Sequence, residues 1–132
     1  MNTKIVMTIG SIVLGATGAM LIFASDIVLR NLSIEINQSS LLLGQIVGAL
    51  YFGYSMLNWM TRESLIGGIY NRPVAVANFT HLMIAGLAIV KALISNPELP
   101  KILWAAGGAY VLFGLLFMII LFRHPVKSKS DQ

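Results

Sequence analysis

The chain has 132 residues, 57% of them hydrophobic and 11% charged, with a mean hydropathy of +0.82 and a formal net charge of +4. A water-soluble domain of this length needs more polar residues to cover its surface, and here the apolar excess is gathered into long runs, which points to an integral membrane protein. The absence of cysteine excludes disulfides, thiolate metal sites and quinone-linked thiol chemistry.

A helix needs about 20 residues to cross about 30 Å of hydrocarbon. Four windows are long enough: Ile5–Ala24, Leu41–Met60, Val74–Ser95 and Ile102–Phe122. Almost nothing remains for a soluble domain. The expectation is an all-α integral membrane four-helix bundle, up-down-up-down, forming one domain over 1–132 with a basic tail at 123–132. The first window is too long for the apolar core of a signal peptide, which runs about 7–15 residues, so it reads as an uncleaved span. Its small residues Ser11, Gly15 and Ala19 form a stripe on which a neighbouring helix backbone can approach closely.

The following segment, "SDIVLRNLSIEINQSS", mixes apolar and charged residues, and the period-two alternation of "LSIEI" predicts extended or interfacial chain. Asn31-Leu32-Ser33 matches a glycosylation acceptor, a pattern short enough to arise by chance. Asn37-Gln38-Ser39-Ser40 supplies a side-chain cap for the second window. That window carries Gly44 and Gly48 in GxxxG spacing, which predicts close helix packing. Its second half, "YFGYSMLNWMTR", places Tyr51, Tyr54, Ser55, Asn58 and Arg62 on one stripe, with Trp59 pointing elsewhere.

"TRESLIGGIYNRP" forms a short turn whose apolar residues rest on lipid headgroups, and Asn71-Arg72-Pro73 is a suitable helix start. In the third window Asn78, His81, Ala85, Ala88, Ala92 and Ser95 recur at spacings of three and four, so they share a face, and Asn96-Pro97 ends the helix. The fourth window sets Gly107, Tyr110, Gly114 and Phe117 on one side.

Six of the nine Lys/Arg residues (Lys4, Arg62, Arg72, Arg123, Lys127, Lys129) fall on one side of the four spans, with two acids; Arg30, Lys91 and Lys101 share the other side with three acids. The positive-inside rule then predicts an inner, plasma-membrane protein with both termini cytoplasmic. The basic residues flank membrane spans, so no nucleic-acid partner is expected.

Depth matching between the second and third windows gathers the polar residues. At 1.5 Å per residue, His81 lies about 10 Å inside its window, and Tyr54 and Tyr51 lie about 9 and 13 Å inside theirs. The expectation is an inner-leaflet polar pocket between these two helices, with Tyr51, Tyr54, Ser55, Asn58, Asn78 and His81 as ligand-binding residues. Arg62 and Arg72 stand at its mouth, where they suit an anion or lipid headgroup. Interfacial anchoring accounts equally for Trp59 and Arg62.

Several sharper functions lack their residues. A single membrane-depth histidine cannot provide bis-histidine haem ligation, and one histidine without an intramembrane acid is too few ligands for metal hydrolysis. Small multidrug antiporters need a membrane glutamate, and the Thr-Thr-Phe-Ser element of fluoride channels is absent. No catalytic residue, metal or cofactor is therefore expected.

The stretch "LLLGQIVGALYFGYSMLNWMTRESLIGG", followed by "NRPVAVANFTHLMIAGLAIVKAL", resembles small bacterial four-helix membrane proteins of the DoxX-like group, with a glycine-spaced second helix, a short basic inner turn and an arginine opening helix three. The resemblance covers about the middle half of the chain and implies the fold more than an activity; some members are linked to quinone or thiosulfate oxidation or to accessory roles. The resulting expectation is a non-enzymatic binding or accessory protein of the membrane, its partners being lipids and a second copy or another membrane protein. The alternatives are a small oligomeric transporter or channel and a structural subunit of a larger complex.

Overall fold

The computed structural model describes residues 3–64 and 71–122, and the described chain is all helical. Five helices follow in order: α1 (Thr3–Phe23), α2 (Ser25–Asn31), α3 (Gln38–Thr61), α4 (Arg72–Ser95) and α5 (Lys101–Phe122). All except α2 are long and apolar enough to span a membrane, and large apolar side chains such as Ile84, Leu87, Ile94, Leu112 and Phe122 stand exposed on their outer faces. The protein is a multi-pass, four-span bundle. Residues 65–70, the middle of the segment expected to rest on lipid headgroups, and the basic tail at 123–132 lie outside the described residues.

Local chemistry sets the helix ends. Asn37 caps α3 in a reciprocal box with Ser40: its side chain accepts from the Ser40 N–H at 2.9 Å, and the Ser40 hydroxyl accepts from the Asn37 N–H at 3.0 Å. Pro73 occupies the first turn of α4. Asn96 ends α4 and accepts the Glu98 N–H at 3.3 Å, turning the chain back into α5.

α2 departs from the expected loop. Ala24 breaks the helical path (φ −136°), and a seven-residue helix follows with Asp26 in its first turn and Arg30 in its last, both favourable to the helix dipole. Its buried residues, Ser25 and Leu29, lie one turn apart and cover Gly44 of α3. It closes with the Ile34 N–H on the Leu29 carbonyl (2.9 Å) and the Ser33 N–H on Arg30 (3.1 Å), with Ser33 left-handed at φ 58°. Residues 34–37 have no regular secondary structure, and Asn37 is extended (φ −138°, ψ 171°).

The spans associate as two antiparallel pairs, α1 with α3 and α4 with α5, which meet each other more sparingly. In lipid, apolar burial supplies little drive between helices, so close backbone approach matters. Gly18 and Gly48 provide it. A Cβ on Gly18 would sit 2.8 Å from the Gly48 carbonyl oxygen, and one on Gly48 would sit 2.8 Å from Leu21 Cβ. The buried stripe of α1 is Met7, Ser11, Leu14, Gly18 and Leu21; of the expected small residues Ser11 lies in it, Gly15 comes close enough to α3 that an added Cβ would stand 2.6 Å from Ser55 Oγ, and Ala19 is only half-buried. The buried face of α4 is likewise Ala75, Asn78, Leu82, Gly86 and Leu93, while Ala88, Ala92 and Ser95 are exposed. Gly86 and Gly114 fit α4 to α5, where added Cβ atoms would stand 3.2 Å from Val111 N and 2.7 Å from Met83 Sδ.

The two pairs join through an apolar cluster that includes Met7, Ala75, Leu82, Phe117 and Ile120. It lies toward the end of the bundle where the Lys4 ammonium and Glu63 carboxylate pair at 3.0 Å, tying the start of α1 to the end of α3.

Candidate functional site

The polar side chains of α3 divide among three neighbours. Nearest the Lys4–Glu63 end, Arg62 lies over the Trp59 ring at 3.6 Å and donates to the Trp59 carbonyl at 3.1 Å. Arg62 is thus held against its own helix, while Arg72 is exposed in the first turn of α4. One turn deeper, Asn58 and Asn78 are fully buried and exchange two amide hydrogen bonds of 2.8 and 2.7 Å; the Asn78 amide also donates to the Val74 carbonyl at 2.9 Å. Ser55 turns to α1 instead: Ser55 and Ser11 each donate to the other's carbonyl at 2.8 Å. These three residues, expected to face a ligand, meet one another or α1.

Above them lies a cluster of a different kind. The His81 imidazole is enclosed by three phenol rings: Tyr54 stacked on it at 5.0 Å and 22°, Tyr51 edge-on at 5.5 Å and Tyr110 tilted at 5.8 Å. The Tyr110 hydroxyl donates to the Tyr51 hydroxyl, bridging α5 to α3 across α4. His81 Nε2 is buried and has no hydrogen-bond partner among the described residues. Counted from the Lys4–Glu63 end, His81, Tyr51 and Tyr110 stand about 14, 15 and 18 Å along their helices, close to the middle of a membrane. A buried, unpaired polar atom at that depth is costly, so each such group in a native fold calls for an explanation.

Tyr110 is the member that depth matching missed, because it lies on the fourth span and the match joined only the second and third. The signal was present in the side shared by Gly107, Tyr110, Gly114 and Phe117, the stretch of α5 against which α4 packs.

The cavity next to this cluster lies elsewhere than expected. It is an apolar crevice of about 160 Å³ between α1 and α5, not a polar pocket between α3 and α4. Gly10, Leu14 and Thr17 line one side; Ala106, Tyr110 and Phe113 line the other; Leu82, adjacent to His81, contributes from α4. The small residues Gly10 and Ala106 leave the space open. Thr17 spends its hydroxyl on the Val13 carbonyl at 2.9 Å. Tyr110 is therefore a common wall, facing the crevice and also touching His81. Among the described residues no group of three His, Asp or Glu side chains could hold a metal ion.

No family model, curated protein or solved structure matches the chain. The functional reading therefore rests on the site itself.

Proposed function

We propose that this is a non-enzymatic binding or accessory protein of the membrane that holds a small amphipathic molecule at the His81–tyrosine cluster. One observation carries the reading: a buried imidazole nitrogen without a partner, boxed by Tyr51, Tyr54 and Tyr110 at mid-membrane depth. Asn58 and Asn78 satisfy each other and Ser55 is satisfied by Ser11, which gives them a structural role; the imidazole nitrogen is left over. The charge asymmetry supports an inner-membrane location with both ends in the cytoplasm.

A through-pathway finds less support, since the polar residues do not continue past the cluster and the adjacent crevice is apolar. A subunit role is favoured by Gly53 and Gly108, where an added Cβ would meet nothing within 4 Å, leaving smooth surface for another helix. Native mass spectrometry of the mildly extracted protein tests these readings together. The binding reading expects a co-purifying small molecule that is lost in His81→Phe while helical content is kept. A bare chain, or a mass shift matching only a protein partner, counts against it.

A further inference from the structure

We infer that two copies of this chain associate through the lipid-facing side of α3, joined by the side-chain amides of Gln45; the inference is independent of the ligand reading above. Beyond the first turns of the spans, the side-chain amides are those of Gln45, Asn58 and Asn78. Asn58 and Asn78 satisfy each other in the interior. Gln45 is exposed, and its side-chain amide has no hydrogen-bond partner among the described residues. It stands seven residues inside the start of α3, about 10 Å along the axis. The 24 residues of α3 rise about 36 Å, so a hydrocarbon layer of about 30 Å centred on them leaves Gln45 about 7 Å below its edge. Lysine could reach water from that depth, but the two methylenes of glutamine do not span it. An amide left in lipid is costly, and a neighbouring helix with a donor and an acceptor at the same depth removes the cost.

The face around Gln45 is shaped for such a neighbour. At about 100° per residue, Gln45, Ala49, Phe52, Gly53 and Met56 fall within about 100° of the circumference, and all five are exposed. They turn away from Gly44, Gly48, Ser55 and Asn58, the residues of α3 that the fold buries. Gln45, Ala49 and Gly53 recur every four residues, the spacing of close right-handed crossings at about −40°. A Cβ on Gly53 would meet nothing within 4 Å, so the monomer makes no use of this glycine. α3 is also the least hydrophobic of the four spans and the least buried, the reverse of what a completed bundle needs. The amide itself selects the partner. It carries an acceptor and two donors, so it is complementary to its own copy. Copies inserted the same way round are related by a two-fold axis along the membrane normal, which sets α3 parallel to α3 and Gln45 against Gln45 at equal depth. A different partner needs a matching polar group at that depth, whereas a second copy carries one by construction.

The chain has no cysteine, so one introduced cysteine reports a single position. In the full-length protein reconstituted into phosphatidylcholine liposomes, oxidation should cross-link Ala49→Cys and Met56→Cys. Leu50→Cys and Leu57→Cys, equally exposed but about 100° further round α3, should cross-link at least tenfold less. Single-molecule photobleaching over a range of protein-to-lipid ratios gives the dimer dissociation constant. Gln45→Leu should raise it about tenfold, the scale of an interhelical amide bond in lipid. Gly53→Ile, which holds the helices apart, should weaken the dimer at least as much. Gly108→Ile on α5, where an added Cβ also meets nothing within 4 Å, should leave it unchanged. Gln45, Gly53 and Gly108 all face outward, so unaltered circular dichroism is expected of each variant. A monomer at every ratio, equal cross-linking at Leu50→Cys and Leu57→Cys, or a dimer indifferent to Gln45→Leu would each overturn the inference. A monomer in liposomes whose native mass spectra show a different membrane protein bound would assign the face to that partner instead. None of these outcomes touches the His81 cluster, so the two readings stand or fall separately.

Discussion

Asn58 and Asn78 show how an amide behaves once it leaves water. Each is fully buried, and together they form a closed pair in which each amide gives one hydrogen and takes one. Replacing one partner strands the other in a site without water, whereas replacing both removes the polar demand altogether. A double-mutant cycle with Asn58→Leu and Asn78→Leu, read by unfolding in mixed micelles, should give a coupling of about 1–2 kcal/mol. Additive single losses would mean that the pair contributes no joint stability. Ser55 and Ser11 follow the same rule with backbone carbonyls as acceptors. His81 is the exception, and that contrast singles it out.

Among the helices, close approach between glycines carries the α1–α3 pair. Gly48→Ala would set a methyl group 2.8 Å from Leu21 Cβ and 2.9 Å from the Gly18 carbonyl oxygen, forcing the backbones apart. The expected cost is about 1–3 kcal/mol, whereas Gly53→Ala, which meets nothing within 4 Å, should leave monomer stability unchanged. Equal losses at the two positions would refute the packing account. The GxxxG spacing of Gly44 and Gly48 marks Gly48 as the packing glycine in the sequence, and Gly53 falls outside that pattern. The four spans were legible to within about three residues, because a long apolar run with Asn, Pro or Ser at its ends has few alternatives. The α1 stripe was legible in part: Ser11 and Gly15 meet Ser55 of α3 as their spacing predicts, whereas Gly18, which approaches the α3 backbone, lies off that spacing. α2 was also hidden: seven residues with one buried pair, Ser25 and Leu29, are too few to display a period. Depth and spacing bring Tyr51, Tyr54 and His81 together, whereas Tyr110 lies on the helix that follows His81's and shows only as a member of the Gly107, Tyr110, Gly114 and Phe117 side.

For the molecule as a whole, the charged groups are confined to the ends, and one ion pair closes the α1–α3 hairpin. Glu63 accepts a hydrogen bond from Lys4 and feels its charge, with Arg62 adding to the effect, so its carboxyl is held below its ordinary value of 4.5. The stability this contributes is present above the unfolded value and is lost as pH falls through the lower folded one. Carboxyl NMR shifts should therefore place the Glu63 midpoint below that of the Lys4→Met variant. Coincident midpoints would mean that the contact is not maintained in solution. The effect is small, because both side chains are exposed and water screens them.

The pairing of α1 with α3, rather than α3 with α4, bears on how the bundle is made. Residues 3–64 contain every contact of the first hairpin: the glycine crossing, the serine exchange, the α2 bracket over Gly44 and the Lys4–Glu63 clasp. This hairpin can close during synthesis before Arg72 has been added to the chain. Taken alone, that hairpin leaves Asn58 and Tyr51 without their partners. The second hairpin supplies those partners, Asn78, His81 and Tyr110, from two helices at once, so only a correctly seated arrival quenches the exposed amide. The buried asparagine pair is therefore satisfied only when the two hairpins are seated against each other.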